Sequence, residues 1–294
     1  MQHILFIVNP IAGGRDKGAL RRLIPRRLDP QRFSWSLACS EHPGHAHELA
    51  LQSDADIVVA VGGDGTVNEV ASALCGSGKI LGILPCGSGD GLARHLRISR
   101  NFDLALRTVN NCTIREIDHG TMNGRPFFCT CGVGLDAIVS AEFARATTRG
   151  LHTYITKALE TWQHFTPEAY ELNIDSDPLS TRAVLITAGN ANQWGNEGFI
   201  TPLASLTDGL IDVTVLRPFS PLEIPDLAAR IFTRRINRST HVDYYRCRHL
   251  TIRRENPGAA HLDGEALQIG CDIDIRMAED RLPVIIPPQS ENKL

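Results

Sequence analysis

DIVVAVGGDGTVNE (Asp56–Glu69) is the stretch that decides the fold. Asp56–Val61 is a nearly unbroken apolar run, the pattern of a strand buried on both faces in a parallel sheet. Gly62, Gly63 and Gly65 then let the backbone turn tightly and approach a ligand closely. Thr66–Leu74 has helical spacing. A helix starting there offers free N–H groups and the positive end of its dipole, which suits phosphate. Asp64 in the middle would repel phosphate unless a cation such as Mg²⁺ stands between them, or unless the acid acts on a hydroxyl. A plain strand-to-helix turn with an Asp cap does not require three glycines around an acid.

The same arrangement occurs on either side. Asn9-Pro10-Ile11-Ala12-Gly13-Gly14 follows the apolar run His3–Asn9, and Pro85–Arg94 (PCGSGDGLAR) follows Ile80–Leu84. Helical spacing appears at Lys17–Leu28 and Gly44–Gln52, and period-two alternation at Phe33–Ala38. Strands separated by helices imply a doubly wound α/β nucleotide-binding domain over residues 1–120. In such a sheet the carboxyl ends of the strands share one edge, where three Gly-rich loops can enclose a nucleotide. Neither G-x₄-G-K-[ST] nor G-x-G-x-x-G describes these loops.

The pattern changes near Asp118. Strand-like runs follow at Pro126–Cys131, Ala169–Ile174, Ala183–Gly189, Ile211–Leu216, His249–Ile252 and Asp272–Arg276. Turn signals at Asn123-Gly124, Asp175–Pro178, Asp208-Gly209 and Asp263-Gly264 punctuate them. This predicts a larger antiparallel β-sandwich-like domain over 121–280, with Leu135–Phe165 as its main helical interruption. A last strand at Pro283–Ile286, within a C-terminal strand and tail of 281–294, can return to either domain.

Composition excludes several classes. The 294 residues are 43% apolar and 21% charged, an ordinary globular balance. The net charge of −3 gives no global positive field, so no nucleic acid is expected as a partner. No apolar run approaches about 18 residues, so no transmembrane segment is expected. The N-terminal stretch lacks a basic flank and reads as a first strand, not a signal peptide. Of the eight cysteines only Cys129 and Cys131 are close, and C-x-C is not a usual zinc spacing. They read as reduced thiols of a cytoplasmic protein. Arg217–Arg254 holds nine Arg against three acids. It reads either as a basic surface for an anionic membrane or as a solvated face of a sheet and its loops.

NPIAGG, GGDGTVNE and PCGSGDGLAR together resemble the catalytic-domain motifs of the diacylglycerol kinase family, which includes bacterial soluble lipid kinases and the sphingosine and ceramide kinases. Further along, Thr201–Leu216 (TPLASLTDGLIDVTVL) resembles the family's D-G-x-[LI]-D hairpin segment, and His261–Glu265 (HLDGE) its late D-G-E motif. GGDGT alone is shared with NAD kinases; Asn68-Glu69 and the late D-G-E favour the lipid branch. The resemblance implies a two-domain kinase using ATP and Mg²⁺, with the phosphoryl group moving in a cleft between the domains. By motif, Gly62, Gly63, Asp64, Gly65, Thr66, Val67 and Asn68 hold the ATP phosphates. Asn9, Ser40 and Ser88 contact nucleotide, and Asp64 organises Mg²⁺ and the reacting groups. Glu265 matches the proton acceptor. A structural Mg²⁺ is implied at Ser205 and Leu210, through carbonyls, and at the Asp208 side chain. Taken without the resemblance, Asp208 is also a β-turn acid before Gly209, and Glu265 a neighbour of the Asp263-Gly264 turn.

One departure stands out. Many bacterial members have G-T-x-N-D-[FL]-A-R where this chain has Gly87-Ser88-Gly89-Asp90-Gly91-Leu92-Ala93-Arg94. Sphingosine-kinase-like sequences share the G-S-G opening and a small last residue. Asp90 is a candidate to supply the carboxylate missing at Gly91. Elsewhere, Asn190, Asn192 and Trp194 form a Gly- and Asn-rich loop that either flanks the cleft or merely connects strands. Leu151, Tyr154, Ile155, Ala158, Leu159 and Trp162 have the spacing of a helix face that packs in the core or lines an acyl-chain slot. The resulting expectation is an ATP- and Mg²⁺-dependent lipid kinase acting on diacylglycerol or a sphingoid-type lipid. It would be cytoplasmic and peripheral at the inner membrane surface, and a homodimer is admitted. The alternatives are a kinase for a soluble substrate such as NAD and a catalytically silent nucleotide-binding regulator.

Overall fold

The computed structural model describes residues 1–14, 17–145 and 151–290, and the chain divides into two compact units. Unit 1 is Met1–Asp118 together with the chain from Glu279 onward; unit 2 is His119–Ala278. Unit 1 holds β1 (Gln2–Val8), β2 (Phe33–Cys39), β3 (Ile57–Gly62), β4 (Ile80–Pro85) and β5 (Thr113–Ile117), and also the last strand, β18 (Leu282–Ile286). They form one sheet in the order β2-β1-β3-β4-β18-β5. All pairs are parallel except β18 with β5. Every residue of β3 is buried, as its apolar run predicts. The helices are α1 (Leu20–Arg27), α2 (His45–Leu51), α3 (Asp64–Leu74), α4 (Gly91–His95) and α5 (Phe102–Asn111). α1 packs on α5 and α2 on α3. Helix α3 starts at Asp64, two residues before the expected Thr66, because Gly63 is the extended N-cap. The eight cysteines are free thiols.

Unit 2 holds β6 (Gly120–Met122), β7 (Arg125–Phe127), β8 (Thr130–Gly134), β9 (Glu168–Ile174), β10 (Asp177–Ala183), β11 (Leu185–Gly189), β12 (Ile211–Leu216), β13 (Val242–Cys247), β14 (His249–Arg254), β15 (Gly258–Leu262), β16 (Glu265–Ile269) and β17 (Asp272–Met277). They make two antiparallel sheets, β10-β9-β14-β17-β6-β7 and β13-β12-β11-β8-β15-β16. Tyr170, Leu172, Leu250 and Ile273 from the first sheet share one core with Val133, Ile186, Val213 and Leu262 from the second. This is the sandwich expected from the alternating runs. Asn123-Gly124 and Asp263-Gly264 both take positive φ at both positions, the two-residue hairpin turns their composition favours.

Three expectations need correction in detail. Pro126–Cys131 is not one strand: it breaks between β7 and β8, where the amides of Phe128 and Cys129 turn to a carboxylate. Within Thr201–Leu216 only Ile211–Leu216 is a strand, so the Asp208-Gly209 turn belongs to a loop and not to a hairpin. The helical interruption expected at Leu135–Phe165 is present as two helices, α6 (Leu135–Arg145) and α7 (Leu151–Trp162). Arg217–Arg254 carries a helix, α8 (Ile224–Phe232), between β12 and β13, and it is not simply a face of the sheet. Among the described residues no helix is long and apolar enough to cross a membrane.

Candidate active site

In unit 1 the three Gly-rich loops meet at the carboxyl edge of the sheet. Asn9 donates from Nδ2 to Thr66 Oγ1 at 3.1 Å, and its Oδ1 accepts the Ile11 amide at 3.1 Å. Asp64 accepts the Asp90 amide at 2.8 Å and the Gly91 amide at 2.6 Å, one with each carboxylate oxygen. The backbones then come too close for side chains. A Cβ on Gly13 would lie 1.4 Å from the Cys86 carbonyl oxygen, and one on Gly87 would lie 2.5 Å from the Gly63 Cα. Gly13 also sits at φ 63°, so its freedom is needed twice.

The other predicted nucleotide residues divide by role. The first-turn amides of Gly65 and Thr66 lie at the end of a helix that attracts anions. Val67 buries its side chain and gives its N–H to the Gly63 carbonyl at 3.0 Å, so it serves the fold. Asn68 accepts from Ser72 Oγ at 3.4 Å. Ser40 is buried at the end of β2, and Ser88 is exposed on the third loop. Glu69 caps the neighbouring helix, accepting the Gly44 amide at 2.9 Å and the Ala46 amide at 3.1 Å. Asp90 is not a free carboxylate. It is 2% exposed, sits at φ 52°, accepts the Gly87 amide at 2.8 Å and pairs with Arg100 at 2.9 Å. Burial raises its pKa against those hydrogen-bonding and charge partners. It shapes the loop.

Unit 2 carries the late acid motif. Asp263 accepts three amides, from Phe128 at 2.9 Å, Cys129 at 2.7 Å and Thr130 at 3.0 Å. Asn190 clasps the same segment, donating to the Phe128 carbonyl at 3.0 Å. Glu265, two residues beyond Asp263, opens β16 and is exposed. Beneath this hairpin lies a cluster that sequence reasoning missed. Asp136, 3% exposed at the start of α6, accepts the Thr187 hydroxyl at 2.6 Å and is bonded to His261 Nε2 at 3.0 Å. The available signal was a single acid in the first turn of an otherwise apolar helix start, LDAIV. Asp136 also lines a largely apolar cavity of about 270 Å³, with Trp162, Trp194, Phe219, Leu227 and Phe232 among its walls. Ala158 and Trp162 of the expected α7 stripe reach it; the side chains of Leu151, Tyr154, Ile155 and Leu159 lie outside the described residues.

The turn assigned to a structural metal is held by an arginine. Asp208 accepts the Leu210 amide at 3.1 Å with one oxygen and the Arg246 guanidinium with the other. Ser205 Oγ accepts the Thr207 amide at 3.3 Å. Arg246 also stands 3.4 Å from Asp212, its cross-strand partner, which accepts the Tyr244 hydroxyl at 2.7 Å. The second Asp212 oxygen is buried without a hydrogen-bond partner, and burial raises this carboxyl's pKa. Such an orphan favours added positive charge. Asp208 and Asp212 are hard oxygen donors of the kind a divalent ion prefers, and an ion placed here would share them with Arg246.

Comparison with known proteins matches both units. The model for the diacylglycerol kinase catalytic domain matches residues 3–122, and that for the YegS C-terminal NAD kinase beta sandwich-like domain matches residues 129–276. The chain belongs to the diacylglycerol kinase family. It is 28% identical over 232 residues to a diacylglycerol kinase of Bacillus subtilis, covering 77% of each chain. Among solved structures it is similar to a diacylglycerol kinase from Bacillus anthracis, with TM-score 0.75, 19% identity and 98% of both chains covered. An NAD kinase from Archaeoglobus fulgidus, solved with ATP, shares the fold at TM-score 0.57 and 14% identity, over 100% of this chain and 97% of that one.

Proposed function

We propose that the protein transfers the γ-phosphoryl group of ATP to the hydroxyl of a lipid, with Mg²⁺. The observation that carries this reading is the pairing of two features in one kinase-family chain. One is a loop edge whose free helix amides suit polyphosphate; the other is a small apolar cavity with a single buried acid in its wall. At about 270 Å³ the cavity is smaller than the roughly 300–1,000 Å³ of most whole small-molecule sites, so it fits an apolar chain better than a dinucleotide.

In this reading Gly62–Thr66, Asn9, Asn68, Ser40 and Ser88 embrace the nucleotide, and Asp64 holds the loops in place beside the phosphates. Mg²⁺ supplies charge neutralisation on the phosphates, the main need of phosphoryl transfer. A further ion at Ser205, Asp208 and Leu210 would stiffen that loop. The lipid oxygen forms its bond to the γ-phosphorus as the bond to the bridging oxygen breaks and ADP leaves. Glu265 takes the hydroxyl proton, which a weak alcohol nucleophile must lose. The acyl chain enters the cavity and Asp136 faces its polar end. The protein would work at the cytoplasmic surface of a membrane, where such lipids reside.

The test is transfer from labelled ATP, with Mg²⁺, to diacylglycerol, a sphingoid base and ceramide in mixed micelles, and to NAD without detergent. Label in one lipid, lost in Glu265→Ala and in Asp64→Ala, supports the reading. Label in NAD alone, or Mg²⁺–ATP binding without turnover, overturns it.

A further inference from the structure

Between β12 and β13 the chain leaves the sheet for 25 residues, Arg217–His241, and closes on itself at its base. The Arg217 amide donates to the His241 carbonyl at 2.8 Å, and His241 pairs with Glu223. Inside this excursion α8 turns one face inward, with Ile224, Leu227, Ala228 and Ile231 lining the apolar cavity. The return segment folds back along the helix, where the Arg230 guanidinium donates to the Arg238 carbonyl at 3.3 Å.

The outward side of the excursion combines two features. Leu222, just before α8, is 90% exposed, and Phe232, at its end, is 42% exposed although it also reaches the cavity. Exposed apolar side chains occur elsewhere on the chain, Ile11 and Leu51 among them, and these two are set apart by the cations that share their excursion. On the same excursion, Arg234, Arg235 and Arg238 are exposed and pair with no carboxylate among the described residues, Arg234 lying 4.0 Å from the centre of the Phe199 ring. The two acids of the excursion are already engaged, Asp226 by Arg230 and Glu223 by His241. Elsewhere in Arg217–Arg254 several arginines are committed: Arg217 pairs with Asp243, Arg246 with Asp208, and Arg254 is buried on three carbonyls. Apart from Arg248, the arginines of this stretch without a carboxylate partner among the described residues are therefore on the excursion that carries the exposed Leu222 and Phe232 and forms a wall of the cavity.

We propose that the Arg217–His241 excursion docks unit 2 on the surface of an anionic phospholipid bilayer. Leu222 and Phe232 enter the headgroup boundary, and Arg234, Arg235 and Arg238 meet lipid phosphates. This deepens the lipid-kinase reading and rests on it only for its purpose, since the surface exists whatever the substrate. It places the cavity wall against the source of an acyl chain.

The experiment is co-sedimentation of the full chain, without ATP, with vesicles of phosphatidylcholine alone or with about one third phosphatidylglycerol. Binding to the anionic vesicles and little to the neutral ones is expected. Two lost charges at about 1 kcal/mol each predict a drop of about 30-fold in the partition constant for R235Q/R238Q. Leu222→Ser should cut it several-fold. Both variants should keep the wild-type unfolding midpoint and the wild-type rate on a short-chain, water-soluble acceptor. Failure of the wild type to bind anionic vesicles, equal binding to neutral ones, or wild-type binding by both variants would overturn the proposal. Vesicle binding as predicted, with no lipid phosphorylated in any assay, would leave the docking surface standing and remove the lipid-kinase reading.

Discussion

Two motif acids, one in each unit, do similar work in different ways. Asp64 in the GGDG loop and Asp263 in the DGE turn each accept backbone amides from a separate segment of chain. Asp64 is half-buried, takes two amides and lies beside the helix end expected to bind phosphate. Asp263 is buried and takes three, while the acid offered for chemistry, Glu265, stands two residues away in the open. In the proposed reading, holding the loops and standing beside the phosphates fall to one residue in unit 1, whereas holding the chain and accepting the proton are divided between neighbours in unit 2. A carboxylate prominent in a motif is first a means of joining loops, and its chemistry depends on what that leaves free.

The largest effect should come from breaking the divided case. Asp263→Ala leaves three buried amides without their charged acceptor, at about 1.5–3 kcal/mol for each such bond. We expect a loss of about 4 kcal/mol or more in denaturant unfolding, and loss of transfer because the hairpin unfolds locally. Asp64→Ala, at the more accessible acid, should cost about 2 kcal/mol by the same measurement. It should also weaken Mg²⁺–ATP binding by tenfold or more in calorimetry. If Asp263→Ala were the milder of the two for stability, the comparison would be wrong.

Next in size is Arg246→Gln, which leaves the buried Asp212 facing Asp208 without a counter-ion. Arg246 is itself 41% exposed, so solvent reduces the loss to about 2 kcal/mol. Millimolar Mg²⁺ should raise the unfolding midpoint of this variant more than that of the wild type; an equal response would remove the shared-ion account of the turn.

The smallest effect belongs to Asp90→Asn, which keeps the acceptor for the Gly87 amide. Burial raises the Asp90 pKa, so the folded state retains a proton that the unfolded state has released. The contribution of Asp90 to stability therefore falls as pH rises from the ordinary Asp value through the raised one, and stays low above it. Stability relative to wild type should shift in favour of the Asn variant across that window. Parallel stability–pH curves for the two proteins would contradict the assignment.

Much of unit 1 was legible because its signals are local. Each buried apolar run leads directly into its glycine loop, and the strand ends fall within a residue or two of their expected places at β1, β3 and β4. The antiparallel class of unit 2 was legible from alternation and its Asn-Gly and Asp-Gly turns. Its interior was not. The break at Phe128–Cys129 is caused by Asp263, 135 residues away from Phe128, and the Asp136–His261 contact spans 125 residues. No window of sequence contains both partners. Helix α8 was hidden because the arginines around it drew attention to charge, while its inward stripe, Ile224, Leu227, Ala228 and Ile231, meets the cavity only in the fold.

The division of labour between the units is tested most directly by measuring Mg²⁺–ATP affinity and phosphoryl transfer side by side in wild type and Glu265→Gln. The account predicts an affinity within about twofold of wild type and a turnover lowered by about 100-fold or more, the scale of a lost general base. Unchanged turnover, or a loss explained entirely by weakened nucleotide binding, would contradict it.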